Sequence, residues 1–252
     1  MTTQLLNADN VVFGCYITGV YDVNRTQTLA NDTIEAILPW INSIIARGVA
    51  VVVFQNGLSK SICEAHQNEL VTYINVPLQA EYSPNVMRYF YYDAYLKKYP
   101  NWYSNVFITD VTDVVMLRNP FEQALYINKA NGIFCGDEPT TLNNEWMVAH
   151  HEHIRNTIPH FNVYELDKAK ETLLNCGIIG ANTTTMVKLL SSICDAHRKY
   201  NRNNKTAYTG DMGIFNYVVR NYYKDNLIHG APVNTVFKAY DIKNTNCWFA
   251  HK

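Results

Sequence analysis

The stretch VFITDVTDVVMLRNPF, residues 106–121, is apolar up to Thr109, carries carboxylates at Asp110 and Asp113, turns apolar again and closes on Asn119-Pro120. Four apolar residues ending in an acid read as a buried strand that stops where side chains can reach a ligand. In an open parallel sheet, ligands bind beyond the carboxyl ends of the strands. The stretch therefore sets the expectation of an α/β fold with a site at Asp110.

The segments before it agree. Val11–Ile17 is a continuous apolar run, and Val49–Phe54 (VAVVVF) is another. Between them, Ile34, Ile37, Leu38, Ile41, Ile44 and Ile45 mark an amphipathic helix with Asp32 as N-cap and Gly48 past its end, and Pro39 predicts a kink or a late start. Ser61 and Glu64 have capping-box spacing, Leu70–Val76 supplies a third strand, and Ser83-Pro84 opens a helix running to Lys98. Strand and helix alternating at this spacing imply right-handed crossovers and a mostly parallel central sheet with helices on both faces. The second half is less regular. Strands are expected at 132–136 and 176–180, helices at 183–200 and 211–223, weak strands at Leu227 and Val236, and a loop over Tyr200–Tyr208. No repeat, low-complexity tract or linker interrupts the chain, so residues 1–252 read as one domain.

With 252 residues, 48% of them hydrophobic and 17% charged, the chain can bury a full core. Its formal net charge of -1 provides no general attraction to nucleic acid or anionic lipid, so an anionic ligand has to be held locally. The N-terminus lacks a basic segment followed by an apolar one, and no run approaches the length of a spanning helix. The six cysteines lie singly in apolar segments, as reduced core thiols of a cytoplasmic protein would; the sequons at Asn24, Asn31, Asn182 and Asn204 point weakly to a secretory compartment.

Asp110 and Asp113, one tight turn apart, can converge on one cation, and hard oxygen ligands with room for water and phosphate suit Mg²⁺ or Mn²⁺ better than Zn²⁺. The plainer alternative is a hydrogen-bonded turn in which Asp113 accepts main-chain bonds and Arg118 neutralises either acid. Here FITDVTDVVMLRNPF resembles the DxD-type region of GT-A fold glycosyltransferases, although two residues rather than one separate the acids. Further segments resemble that family in the same order: TGVYDVNR after the first strand, NVMRYFYYDAYL before the acidic strand, NCGIIGA, TGDMGIFNYV and the terminal CWFAHK.

The resemblance implies a Rossmann-like GT-A domain whose 1–125 half binds nucleotide and whose 126–252 half binds sugar and acceptor. It implies Mn²⁺ or Mg²⁺ on Asp110, Asp113 and His251, and a nucleotide, UDP being the commonest, met by Thr18, Gly19, Tyr21, Arg25, Arg88 and Asp110. Asp211 would act at the sugar as base or orienting group, with Asn175, Gly177 and Gly180 lining its pocket. Plainer roles stand beside these: Arg88 in a surface salt bridge with Asp93 or Glu81, His251 in a frayed tail, Asp211 as an N-cap, and the glycines shaping a crowded strand edge. The pair Asp137-Glu138, at another strand end, is a rival location for the base.

The cluster His150-His151-Glu152-His153 lacks the i, i+4 histidine spacing of zinc helices and reads as an exposed helix start on the acceptor side. Tyr89, Tyr91, Tyr92 and Tyr95 read as helix packing with hydrated hydroxyls. The expected function is Mn²⁺- or Mg²⁺-dependent transfer of a sugar from a nucleotide-sugar donor to a glycan or other hydroxyl acceptor. The alternatives are a nucleotidyltransferase, for which TGVYDVNRTQT is poor in glycine and basic residues, and a non-catalytic nucleotide-sugar-binding module.

Overall fold

The computed structural model describes residues 8–22, 26–79, 81–204, 209–239 and 246–252; Arg25 and residues 205–208 of the YNRNNKTAY loop lie outside them. In chain order the first half contains β1 (Asn10–Tyr16), β2 (Tyr21–Asp22), β3 (Gln27–Thr28), α1 (Leu38–Ile45), β4 (Ala50–Gln55) and α2 (Lys60–His66). It continues with β5 (Val71–Asn75), α3 (Pro84–Lys98), β6 (Asn105–Thr109), β7 (Val114–Met116) and α4 (Ala124–Asn128). The second half contains β8 (Ile133–Thr141), α5 (Glu145–Thr157), α6 (Phe161–Lys168), β9 (Thr172–Asn182), α7 (Thr183–Tyr200), α8 (Asp211–Tyr222), β10 (Leu227–His229) and β11 (Phe249–His251).

Seven strands form one sheet in the order β10-β8-β9-β6-β1-β4-β5. β1 pairs in parallel with β4 and β6, β4 with β5, and β10 with β8, whereas β9 runs antiparallel to both β6 and β8. The expected α/β architecture with a mostly parallel sheet is present. Alternate residues of β1 enter opposite cores. Val11 and Phe13 join the cluster under α3 and α7, and Val12 joins the cluster under α1, so helices cover both faces. No helix among the described residues is long and apolar enough to cross a membrane.

Local physics moved several boundaries. α1 begins only at Leu38, with Pro39 in its first turn, and Asp32 has φ +57 and accepts from Ser59 N instead of capping it. α2 starts at Lys60 behind Ser59, so Ser61 and Glu64 make no capping box. Val236 lies in no strand; the last pairing is made by β11, which runs antiparallel to β7 in a separate two-stranded sheet. The hydroxyl-bearing tyrosines of α3 are drier than expected, since Tyr89 and Tyr92 are fully buried.

Gly180 lies on interior strand β9, where a Cβ would stand 2.2 Å from the Phe107 ring. It makes room for an aromatic core and does not line the site. Gly180→Ala overpacks that contact, and urea denaturation should show a loss of about 1–3 kcal/mol.

Candidate functional site

β6 ends at Thr109, whose hydroxyl accepts from the buried Trp40 indole at 2.8 Å. The chain then continues alongside β9, with Asp110 N donating to Gly177 O at 2.8 Å. The turn at 111–113 returns Asp113 to the same side. The tail completes the group: β11 places His251 opposite Val114, and Lys252 N donates to Asp113 O at 2.9 Å. Trp248 and Phe249 bury themselves against Phe107, Phe249 with its ring centroid 5.2 Å away, so the tail is packed into the core.

Asp110, Asp113 and His251 each offer a ligand atom, and these atoms lie within 4.8 Å of one another. Opposite ligands of a Mg²⁺-sized ion, at roughly 2.1 Å each, stand roughly 4.2 Å apart, so two carboxylates and an imidazole at this spread fit one divalent cation. Gly177 makes the space. A Cβ there would stand 2.5 Å from His251 Cε1 and 3.0 Å from Asp110 Oδ2.

Arg88, on α3, is buried, which excludes the surface salt bridge; Asp93 is instead bonded by Lys97 and Ser191, and Glu81 by Arg202. Its Nη1 contacts Asp110 Oδ1, and its Nη2 lies 3.8 Å from Asp211 Oδ2 and 3.2 Å from Cys176 O. Burial works against its charge, but Tyr89, Asp110, Cys176 and Asp211 outweigh that and hold its pKa well above the ordinary value. The guanidinium thus engages one Asp110 oxygen and leaves Oδ2 on the Gly177 side.

Asp211 is not the cap of α8. Gly210, at φ +72, is the N-cap, and Asp211 sits in the first turn accepting from Thr209 Oγ1 at 2.7 Å. Asp137 and Glu138, neighbours on β8, are sent to different partners. Asp137 meets His229 at 2.9 Å, while Glu138 faces the cleft and accepts from Asn175 Nδ2 at 2.7 Å. Asn175 also accepts from Gly177 N at 2.7 Å, tying Glu138 to the glycine cradle. Burial pushes the Glu138 carboxyl up, against the Asn175 bond and Lys238, which pull it down.

These groups line a cleft of about 620 Å³ at the carboxyl ends of the central strands. Among its described lining residues four carboxylates, Asp110, Asp113, Glu138 and Asp211, face two cations, Arg88 and Lys238. A narrower cavity shares Arg88 and Asp110 and reaches Tyr16 and Asp22, which flank the first loop, and Ile17 within it. In that loop Thr18 is fully buried, exchanging bonds with Asn56 and Asn31, Gly19 has φ +71, and Tyr21 is 56% exposed on the β2–β3 hairpin. Arg25 lies outside the described residues.

The histidine cluster is not an exposed helix start. Asn144 caps α5, and His150 and His151 are buried nearly two turns further on. They diverge, His150 Nδ1 donating to Trp146 O at 2.8 Å and His151 Nδ1 meeting Glu165 at 3.0 Å. Sequence reasoning did not select Asp22, Asn85, Trp146 or Lys238 as site residues; Asp22 within TGVYDVNR and Asn85 at the start of NVMRYFYYDAYL were the legible signals among them.

No family model matches the chain, and no curated protein sequence matches it. Among solved structures it is similar to an active-site mutant of LgtC, a GT-A glycosyltransferase, at a TM-score of 0.51 and 14% identity, covering 96% of this chain and 86% of that one. At that identity the likeness is one of fold.

Two measurements test the site. Asp113→Asn keeps shape and removes one anionic donor; calorimetry should show Mn²⁺ binding weakened by at least about tenfold, since even outer-shell partners of a metal are worth that much. Glu138→Gln keeps an acceptor for Asn175 but removes the charge. Between the ordinary value of 4.5 and its raised folded pKa, native Glu138 holds a proton that the unfolded chain has released, so the wild type loses stability as pH rises through that range. The variant should therefore melt above the wild type at about pH 7, and the gap should close below about pH 4.

Proposed function

We propose that the chain is a divalent-cation-dependent glycosyltransferase, moving a hexose or pentose from a nucleoside diphosphate, UDP by expectation, to a hydroxyl acceptor. The observation that carries this reading is the convergence of Asp110, Asp113 and His251 beside Gly177, in a cleft with an excess of carboxylates, on a fold shared with a GT-A enzyme. We read residues 1–252 as one catalytic domain, with nucleotide held by the 1–125 half and sugar and acceptor by the 126–252 half.

Mn²⁺ or Mg²⁺ bound by Asp110, Asp113 and His251 would supply Lewis-acid and Coulombic stabilisation to a diphosphate leaving group. The protein's own groups do the rest. Arg88 orients Asp110 and Asp211 together, keeping the cation ligand and the sugar-side acid in fixed relation. Thr18, Gly19, Tyr21 and Arg25 belong to the loop assigned to the nucleotide; within it Thr18 acts by bracing the backbone through Asn56 and Asn31. Asp211, pinned by Thr209, faces the cleft where the transferred sugar would lie and acts as base or orienting group. Asn175, Gly177 and Glu138 form the floor under that sugar, while the neighbouring Asp137 is paired with His229.

The test is UDP release from UDP-glucose, UDP-galactose, UDP-xylose and UDP-N-acetylglucosamine, with Mn²⁺ and with EDTA. Cation-dependent release from one donor is expected, with Asp211→Asn lowering kcat by about 10²–10⁴-fold, the scale of a lost acid–base group. UDP binding without release, with hydroxyl acceptors present, would indicate a binding module. Pyrophosphate release from a nucleoside triphosphate would indicate a nucleotidyltransferase.

A further inference from the structure

The cleft lining combines two kinds of group. Asp110, Asp113, Glu138 and His251 supply carboxylates and an imidazole, while α5 contributes Asn144 and Trp146, and the first turn of α8 sets Met212 beside Asp211. Trp146 keeps 44% of its surface exposed and belongs to neither core cluster, so packing does not account for its position. It is nonetheless held firmly. His150, one helical turn on, lies with its ring centroid 3.5 Å from that of Trp146, planes inclined by 35°, and its Nδ1 donates to the Trp146 carbonyl at 2.8 Å. Burial pushes the His150 pKa down, so a neutral ring backs the indole.

A rigid aromatic plane, open to water on one side and flanked by amides, matches a ligand with an apolar face and a polar rim. A pyranose ring has that form: its C–H face is apolar and its hydroxyls project from the edge. An acyl chain would need a long apolar trench, whereas this lining mixes Asn85, Asn144 and Lys238 with the indole. An extended peptide would seek an unpaired strand edge, and Trp146 and Met212 lie on helices. We infer that Trp146, backed by His150, is the acceptor platform and that the acceptor is a carbohydrate stacked on the indole. This rests on the glycosyltransferase reading and narrows its acceptor class.

The experiment is saturation-transfer NMR on the full chain with UDP and Mg²⁺, and in parallel without them, using methyl glycosides of glucose, galactose, mannose, xylose and N-acetylglucosamine. At least one glycoside should receive saturation on its ring C–H protons. Trp146→Ala should weaken that binding by about tenfold, the scale of one aromatic stacking contact, while Trp146→Phe retains most of it. Melting curves of both variants report whether they are folded. Absence of binding by every glycoside, or equal binding by wild type and Trp146→Ala, overturns the inference. Calorimetry of UDP with wild-type protein is read separately: failure there counts against the glycosyltransferase reading, while the glycoside arm without nucleotide still decides the platform.

Discussion

Four carboxylates around one cleft, with two cationic side chains to oppose them among the described residues, set the problem the rest of this fold has to solve. Like charges beside a low-dielectric wall repel strongly, and an uncompensated buried ion costs several kcal/mol. The protein disperses part of the excess in two ways. Arg88 is driven into the interior between Asp110 and Asp211, where their attraction keeps it charged despite burial. Glu138 is pushed toward its neutral form and held by Asn175. The rest, Asp113, the second oxygen of Asp110 and the imidazole of His251, is gathered with ligand atoms within 4.8 Å of one another and kept clear of any Cβ by Gly177.

That remainder is assembled across nearly the whole chain. Asp110 leaves a strand in the middle of the sheet, and His251 arrives by a three-residue strand paired with β7. The tail is held by Trp248 and Phe249, which pack on Phe107, a residue of the same strand that ends in Asp110. Core packing on one face of β6 therefore positions ligands beyond its end. A cation held by residues from such separate elements would couple its binding to the docking of the terminal strand.

Much of this was legible in the sequence. Buried strands of an α/β sheet are continuous apolar runs, so β1, β4, β5 and β6 could be read almost to the residue, as could α3 behind its Ser-Pro and α7. The acids at the end of β6 stood out because a carboxylate after a buried run needs a reason. Other features were set by long-range contacts that local pattern does not encode. β9 reads as an ordinary strand, and nothing local says that it runs against its neighbours; yet that reversal brings Gly177 beside Asp110. The short β7 and β11 lack any period of their own and exist because they pair. His150 and His151 looked exposed by composition, but α5 turns them inward, and Arg88, which read either as a nucleotide contact or as a partner in a surface salt bridge, is a buried bridge between Asp110 and Asp211. Asp137 and Glu138 looked equivalent, and their different partners on β10 and β9 separate them.

The central claim is that the turn after β6 and the terminal histidine together hold a divalent cation. Anomalous diffraction from a crystal soaked with Mn²⁺ and UDP tests it directly. The account predicts a manganese peak within roughly 2.0–2.4 Å of carboxylate oxygens of Asp110 and Asp113 and of a His251 ring nitrogen, as expected of first-row metal ligands. A peak bound elsewhere, or its absence with these three side chains in their present positions, would contradict it.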